Sequence, residues 1–451
     1  MSTRLASLAL LLLVAAAPAA QAQQSYVLGA QKWSAEHTKA ITAAGGTVVF
    51  QHPPAGIAVV TSNNPNFLAD VTAKAPFAEA ILDRVVQWEQ PAVVADGIDA
   101  ASLPPTDTFF SGVQWAPQAI QAPEAWAAGC EGAGVRVAVL DGGIYSSHVD
   151  LAGAIDAGAS RSFTTGAWNS DIGTFWHGTH VAGIIAAANN GIGTVGIAPR
   201  ATIIGVKVLH DGSGPFSAIF QGIIYASTPV NLNGAGADIL NLSLGSGPFL
   251  RAPAWGEFRS VLNRVMQYAN KQGALVVVSA GNDAFDFDHS GNATVIPAEA
   301  PNVVTVSATG PMGWALGAKD FYRPASYTNF GTSVIDVAAP GGDFALPGNA
   351  SCTKFRSNGT PIVQPCWVFD MVMSPVRGSG TSVSTYSWAA GTSMAAPAAA
   401  AVAAIIKGAN PTISVASLRT RLMQTATDQG KPGVDPYYGK GWVNALKGCQ
   451  K

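Results

Sequence analysis

From position 135 onward, β-branched and aliphatic runs recur at intervals along the chain. Val135-Arg136-Val137-Ala138-Val139-Leu140 is almost uninterrupted, and similar runs lie at Thr202 to Val208, Ile239 to Leu242, Ala274 to Val278 and Val303 to Val306. A strand buried on both faces reads as a continuous apolar run rather than an alternation. Helical stretches lie between these runs, so the pattern predicts an α/β fold: a doubly wound, mostly parallel sheet covered on both faces. The first part of the chain reads differently. Tyr26-Val27-Leu28 predicts a strand, and Ser34 to Ala44 a helix ended by Gly45-Gly46. Thr47 to Phe50 and Ile57 to Thr61 predict two strands across a Pro53-Pro54 turn. Asn66 to Lys74 predicts a helix, and Arg84 to Trp88 a closing strand. The order β-α-β-β-α-β is the ferredoxin-like arrangement, which many small α+β domains share. Pro91 to Pro105, rich in Ala, Pro and Asp, shows no periodicity and reads as a linker.

The extreme N-terminus reads as an export signal rather than structure. Arg4 supplies a positive end, Leu8 to Val14 an apolar stretch, and Ala20-Gln21-Ala22 a small-x-small cleavage site. That run is short for a membrane span, and no later run of about 18 apolar residues appears. No cysteine at the cleavage site supports a lipid anchor. The expectation is a secreted protein, extracellular or periplasmic. Across 451 residues, 48% are hydrophobic and 12% charged, which predicts a packed chain. With 25 basic and 27 acidic residues the net charge is -2, so there is no electrostatic case for nucleic acid or an anionic membrane as partner. A monomer is expected.

Export places the four cysteines in an oxidising compartment, where disulfides are the default. Four cysteines allow three pairings. Cys352–Cys366, closing a short polar loop, and Cys130–Cys449, tying the start of the core to the C-terminus, are favoured. Metal binding is the rival reading, and no C-x-x-C spacing supports it.

Three segments carry candidate chemistry. Strand Val135–Leu140 ends at Asp141-Gly142-Gly143, and functional groups gather at the carboxyl ends of such strands. A lone Asp there is more often a turn residue or a helix cap. His177-Gly178-Thr179-His180-Val181-Ala182-Gly183 opens an Ala/Ile-rich helix; two histidines three apart are also a metal-ligand spacing. Gly391-Thr392-Ser393-Met394-Ala395-Ala396-Pro397 leads into the helical run Ala398 to Ile406, where a serine is commonly a cap.

Taken together, and with Ser279-Ala280-Gly281-Asn282 after strand Ala274–Val278, these segments resemble the subtilisin-like serine peptidases, or subtilases. Asp, then His, then Ser is the chain order of subtilisin. The stretch Asp141 to Leu151 and the terminal Tyr438-Gly439-Lys440-Gly441 share the resemblance, which runs from about Ala122 to Asn444. It implies Ser393 as nucleophile, His177 as its base and Asp141 as the group orienting His177. Asn282 and the Ser393 N–H would hold the oxyanion. Gly380-Thr381-Ser382 and Gly331-Thr332-Ser333 are decoys, because neither is followed by Met-Ala-x-Pro and an alanine-rich helix. His180 is expected to be structural. A zinc enzyme built on His177 and His180 lacks an H-E-x-x-H pattern and a third ligand. A catalytically dead binding scaffold would have no need for all four of Asp141, His177, Ser393 and Asn282.

The resemblance also implies an organisation: a signal peptide over 1–22, an inhibitor-type propeptide over 23–95, a linker with the processing site over 96–111, and the catalytic domain over 112–451. The chain's own propeptide would occupy the active site until cut, with self-cleavage expected between Ala95 and Ser111. Protein or peptide substrates would add as a strand, with Ser243, Leu244 and Gly245 forming one wall of a specificity pocket. Asp283 would favour basic substrate residues and Val295 would shorten that pocket; the two hints conflict, so no preference is read from them. Calcium is the implied structural cofactor, held by the side chains of Asp150 and Asn190 and the carbonyls of Ala188, Ile192 and Thr194. The family's N-terminal glutamine ligand has no clear equivalent; Ser111 and Gln114 are the stand-ins. A metal-free Asn-Gly turn is the alternative. Two departures stand out. Ala398-Ala399-Ala400-Ala401 replaces the family's His-Val-Ala-Gly, which implies altered packing. Residues 342–390 form an insertion holding Cys352 and Cys366, either a rim or flap near Ser393 or a surface loop without a role.

Overall fold

The computed structural model describes residues 23–88, 91, 93–94, 98–99, 109–110, 112–251 and 253–450. The expected signal peptide and most of the 95–111 processing window lie outside them.

The N-terminal unit runs β1 (Gln24–Gly29), α1 (Ala35–Ala43), β2 (Gly46–His52), β3 (Ile57–Ser62), α2 (Phe67–Lys74) and β4 (Glu79–Leu82). Its four strands form one sheet in the order β2-β3-β1-β4, with β3 and β4 antiparallel to β1 on either side. One face packs Tyr26, Leu28 and Val60 against Ile41, Phe67 and Val71 of its own helices. The other turns Val27, Ile57 and Ile81 onto the larger unit. The closing strand is therefore 79–82, not the expected 84–88. The Val85-Val86 pair does form a strand, β5 (Val85–Gln87), but pairs antiparallel with β11 (Ser213–Pro215) of the larger unit. β-branching marks a strand without saying which edge it joins. Likewise two fragments of the expected linker, β6 (Val93–Val94) and β7 (Ile98–Asp99), pair on a strand ending just before Ser393.

The larger unit continues with α3 (Ala116–Ala119), α4 (Ala122–Ala127), β8 (Arg136–Asp141), β9 (Arg161–Ser162), α5 (His177–Ala186), β10 (Thr202–Lys207), β11, α6 (Phe216–Ser227), β12 (Ile239–Leu242), β13 (Phe249–Leu250), α7 (Pro253–Lys271) and β14 (Leu275–Ser279). After these come β15 (Ala293–Thr294), β16 (Val303–Thr309), β17 (Val337–Pro340), β18 (Ser351–Phe355), β19 (Pro361–Pro365), β20 (Val372–Val376), β21 (Thr385–Ala390), α8 (Thr392–Ala409), α9 (Val415–Gln424) and α10 (Ala445–Cys449). Seven parallel strands form the central sheet in the order β17-β16-β14-β12-β8-β10-β9. Val137 and Val139 face the layer of α5 and α8, whereas Ala138 and Leu140 face that of α6 and α7. Burial on both sides explains the uninterrupted apolar runs. The chain leaves β8 for β10 on one side and returns to β12 on the other. Asp141 therefore ends at the switch point, where crevices form outside the carboxyl ends of strands.

The 342–390 insertion divides in two. β18 and β19 make an exposed hairpin, while β20 and β21 are buried throughout and β21 runs straight into α8. Its first half lies at the surface. Its second half is core. Among the described residues one helix, α8, is long and apolar enough to cross a membrane, and 83% of it is buried inside this domain.

Both favoured disulfides are present, Cys130–Cys449 and Cys352–Cys366. The first joins positions 319 apart and clamps the C-terminal helix α10 beside α4. A double Cys130→Ser, Cys449→Ser variant should therefore lose about 2–5 kcal/mol of stability, read as an earlier denaturant midpoint with an intact far-ultraviolet spectrum.

Candidate active site

Strand ends and helix starts deliver the groups. Asp141 is the last residue of β8, His177 the first of α5, Asn282 follows β14, and Ser393 lies in the first turn of α8. The Asp141 Oδ2 and His177 Nδ1 atoms are 2.8 Å apart, and both side chains are nearly enclosed. The second Asp141 oxygen accepts the Gly142 N–H at 2.7 Å. Gly178 makes this approach possible: a Cβ there would stand 2.9 Å from that of Asp141.

His177 Nε2 is buried without a hydrogen-bond partner. Ser393 is 2% exposed, and its Oγ leans 3.4 Å from the carbonyl of Ser243 rather than bonding the imidazole. The Asp–His link is closed and the Ser–His link is open. Catalytic hydrogen bonds commonly tighten only with substrate in place.

Ser243, expected only as a pocket wall, has a second task. Pro397 lies inside α8 and has no N–H, so the Ser393 carbonyl lacks its helical partner four residues on. Ser243 Oγ fills that vacancy, donating to Ser393 O at 2.8 Å. Thr392 was also missed, although it stands inside the quoted motif. Its N–H and hydroxyl both donate to Asn282 Oδ1, at 2.8 and 2.9 Å, so the Asn282 carbonyl end is held and its NH₂ end faces elsewhere. The Thr392 hydroxyl also accepts the Gly281 N–H at 3.1 Å.

A buried lysine adjoins the site. Lys207, paired in register with Asp141, donates its ammonium to the Gly142 carbonyl and lies 3.7 Å from Asp171 Oδ1. Burial pushes the Asp171 carboxyl up to about 6 despite that neighbour, and pulls the Lys207 ammonium down. Neither residue carried a sequence signal, since each is a single polar residue among apolar or loop positions.

The remaining expected residues fall as follows. Leu244 is 1% exposed and belongs to the core rather than to an open surface. Asp283 is exposed across from Gly247, and Val295 is fully packed beside Ala280. His180 Nε2 meets the Ser387 carbonyl at 3.2 Å, and burial lowers its pKa to about 3; it ties α5 to β21. Among the described residues no three His, Cys, Asp or Glu groups gather to hold a metal. Ala398 to Ala401 are all buried at 1% exposure or less, where a larger family residue would need different neighbours.

Around Asp150, the Thr194 N–H and hydroxyl reach Oδ2 at 2.9 and 3.2 Å, and Asn190 Nδ2 reaches Oδ1 at 3.4 Å. The Tyr386 hydroxyl also faces this carboxylate. Burial raises the Asp150 pKa to about 6, and among the described residues Asp150 makes no ion pair. A buried carboxylate with no counter-charge is a group that a hard cation such as calcium prefers, but its oxygens here accept from N–H and O–H donors, and Asn190 would have to turn its Oδ1, which accepts the Ile192 N–H, toward a bound ion. Gln114 is not part of it, because both ends of its amide bond the backbone of Val195, at 2.9 and 3.0 Å. Ser111 lies outside the described residues.

The comparisons speak to the family and the fold. The subtilase family profile matches residues 132–441. Thermitase of Thermoactinomyces vulgaris is 34% identical over 349 residues, covering 77% of this chain and 99% of its own. Subtilisin Savinase of Lederbergia lenta is 36% identical over 335 residues, covering 74% and 97%. Among solved structures, a protease of Pseudoalteromonas arctica PAMC 21717 superposes with a TM-score of 0.59 at 31% identity, covering 76% of this chain and 98% of that one. The epidermin leader peptide processing protease of Staphylococcus aureus covers 95% of this chain and 99% of its own, with a TM-score of 0.70 at 20% identity, a likeness of fold. With profile, relatives and sheet topology in accord, the chain belongs to the subtilase family of serine endopeptidases.

Proposed function

We propose that this chain is a secreted endopeptidase that cuts peptide bonds through Asp141, His177 and Ser393, with Asn282 as oxyanion donor, and that it is made as a self-processing zymogen. The observation that carries the reading is the closed Asp141–His177 hydrogen bond, with His177 Nε2 left buried and unpartnered. A bound peptide lets the Ser393 hydroxyl turn from the Ser243 carbonyl to Nε2. His177 takes that proton as Oγ attacks the carbonyl carbon, and Asp141 stabilises the imidazolium. The carbonyl oxygen becomes an oxyanion held by the Asn282 NH₂ and the Ser393 N–H at the start of α8. The imidazolium gives its proton to the leaving amine, and an acyl-enzyme remains. Water, deprotonated by the same imidazole, then releases the acid.

Two pairings support the zymogen. β5 lies along β11, and β6 lies along Ala389-Ala390, three residues before Ser393. The uncut chain thus approaches the triad on one side and leaves it on the other. The first cut is proposed between Trp88 and Val93, ahead of the 95–111 window, with any cut in that window a later trimming. The N-terminal unit is docked by Glu79, whose carboxylate accepts from Ser260 and from Arg264, and by Asp83, which accepts the Ser217 N–H in the first turn of α6. Peptides and the chain's own N-terminal unit are its partners, and a monomer suffices for every step.

A fluorophosphonate probe should label the mature protein and fail on Ser393→Ala, which should also persist as the uncut precursor. Trimmed Ser393→Ala, with no protease added, would sink self-processing, and an unlabelled wild type would sink the peptidase. Asn282→Leu should lower kcat by about 10²–10³-fold with little change in KM, measured on a peptide anilide. Calcium at Asp150 would neutralise a buried carboxylate and tie down the 188–194 loop. Chelation should therefore lower the melting temperature of the wild type, and Asp150→Asn should start lower and show no further change with chelator.

A further inference from the structure

We propose that the cavity beside His177 selects a basic substrate side chain, lysine or arginine, on the N-terminal side of the cleaved bond, with Asp211 and Asp171 as its determinants. This rests on the peptidase reading. The cavity measures about 290 Å³ and is lined by Asp141, Asp171, Asp211, Trp176, Leu209 and the imidazole of His177. Its orientation follows from β5. That strand runs along β11 with Gln87 opposite Ser213, the Trp88 N–H bonds the Gly212 carbonyl at 3.0 Å, and Gln87 itself reaches the cavity. A chain laid this way meets the pocket before it meets Ser393, so the pocket receives an upstream side chain.

The charge count favours a cation. Asp141 is committed to His177 and to the Gly142 N–H. Lys207, with no side-chain exposure, faces Asp171 from behind and gives its shortest contact to the Gly142 carbonyl. The raised pKa of Asp171 shows how incompletely that lysine compensates for burial. Asp211 stands exposed at the rim and makes no ion pair among the described residues. Arg377 stacks 5.3 Å from the Trp176 ring centre and is not part of the lining. Trp176 and Leu209 offer apolar walls for the methylenes of a long basic side chain, whose charged end then lies among the carboxylates. The unpartnered His177 Nε2 within the same enclosure marks it as a space a substrate completes. Gln87 puts only a neutral amide there, with its Oε1 taken by Ser213 at 2.7 Å, so the chain's own segment adds no cation to the cavity, where Asp211 is unpaired among the described residues and Asp171 has Lys207 alone.

The test uses mature enzyme and quenched peptides that differ only at one of the three positions before the cleaved bond, carrying Lys, Arg, Ala or Glu. At one of these positions kcat/KM for Lys or Arg should exceed Ala by about tenfold, and the ratio should shrink as salt rises. Asp211→Asn should cut the Lys-to-Ala ratio severalfold, and adding Asp171→Asn should bring it near one. Equal rates for Lys and Ala peptides in the wild type would overturn the inference. So would a full preference retained by folded Asp211→Asn. Failure to cut any peptide would instead overturn the peptidase reading beneath it.

Discussion

The placement of Ser393 depends on how closely a helix can lie on a sheet. Helix α8 is buried from Thr392 to Ile406, and it rests on β12, β14, β16 and β17 at once. Only a nearly bare helix surface allows that, and the run Ala398 to Ala401 provides it. Interiors are close-packed, so an added methylene on that face is felt as strain or displacement. Because Ser393 is in the first turn, any shift of the helix axis moves the hydroxyl relative to β8 and α5. Pro397 adds a second constraint by leaving the Ser393 carbonyl to Ser243, which locks the start of the helix to the end of β12.

Much of this was legible in the sequence. Strands buried on both faces announce themselves as apolar runs, and five of them were read close to their observed limits. The residues proposed for catalysis stood out because each lies at the end of such a run or at a helix start, inside a motif of several residues. Partnership was not. Val85-Val86 reads as a strand, yet no local pattern says that its partner is Ser213–Pro215 rather than β1. β20 and β21 were hidden for the opposite reason: Ser374, Pro375, Thr385 and Ser387 break the apolar pattern, and their burial depends on contacts far along the chain. Thr392, Lys207 and Asp171 act through distances that only the fold creates.

The site also holds local costs that folding alone would not select. A ring nitrogen of His177 is buried without a partner, and Lys207 is enclosed with one carboxylate 3.7 Å away. An unsatisfied buried polar atom costs about 1–3 kcal/mol. Such features persist where the surrounding structure is rigid enough to hold them, and here the parallel sheet and two buried helices supply that rigidity. The Glu79 contacts show the same economy at the junction with the N-terminal unit, since one buried carboxylate answers both Ser260 and the Arg264 guanidinium.

An enzyme that attacks polypeptide is itself polypeptide, and its most accessible strand ends are the first to be nicked by neighbouring copies. The hairpin of β18 and β19 is such a place: Phe355 and Val363 are more than half exposed, and Ser357-Asn358-Gly359 project at its tip. Cys352 and Cys366 bracket that tip from below. A break anywhere between them leaves two severed ends still joined through sulfur, with β20, β21 and the helix beyond them undisturbed. The damage stops at the stitch.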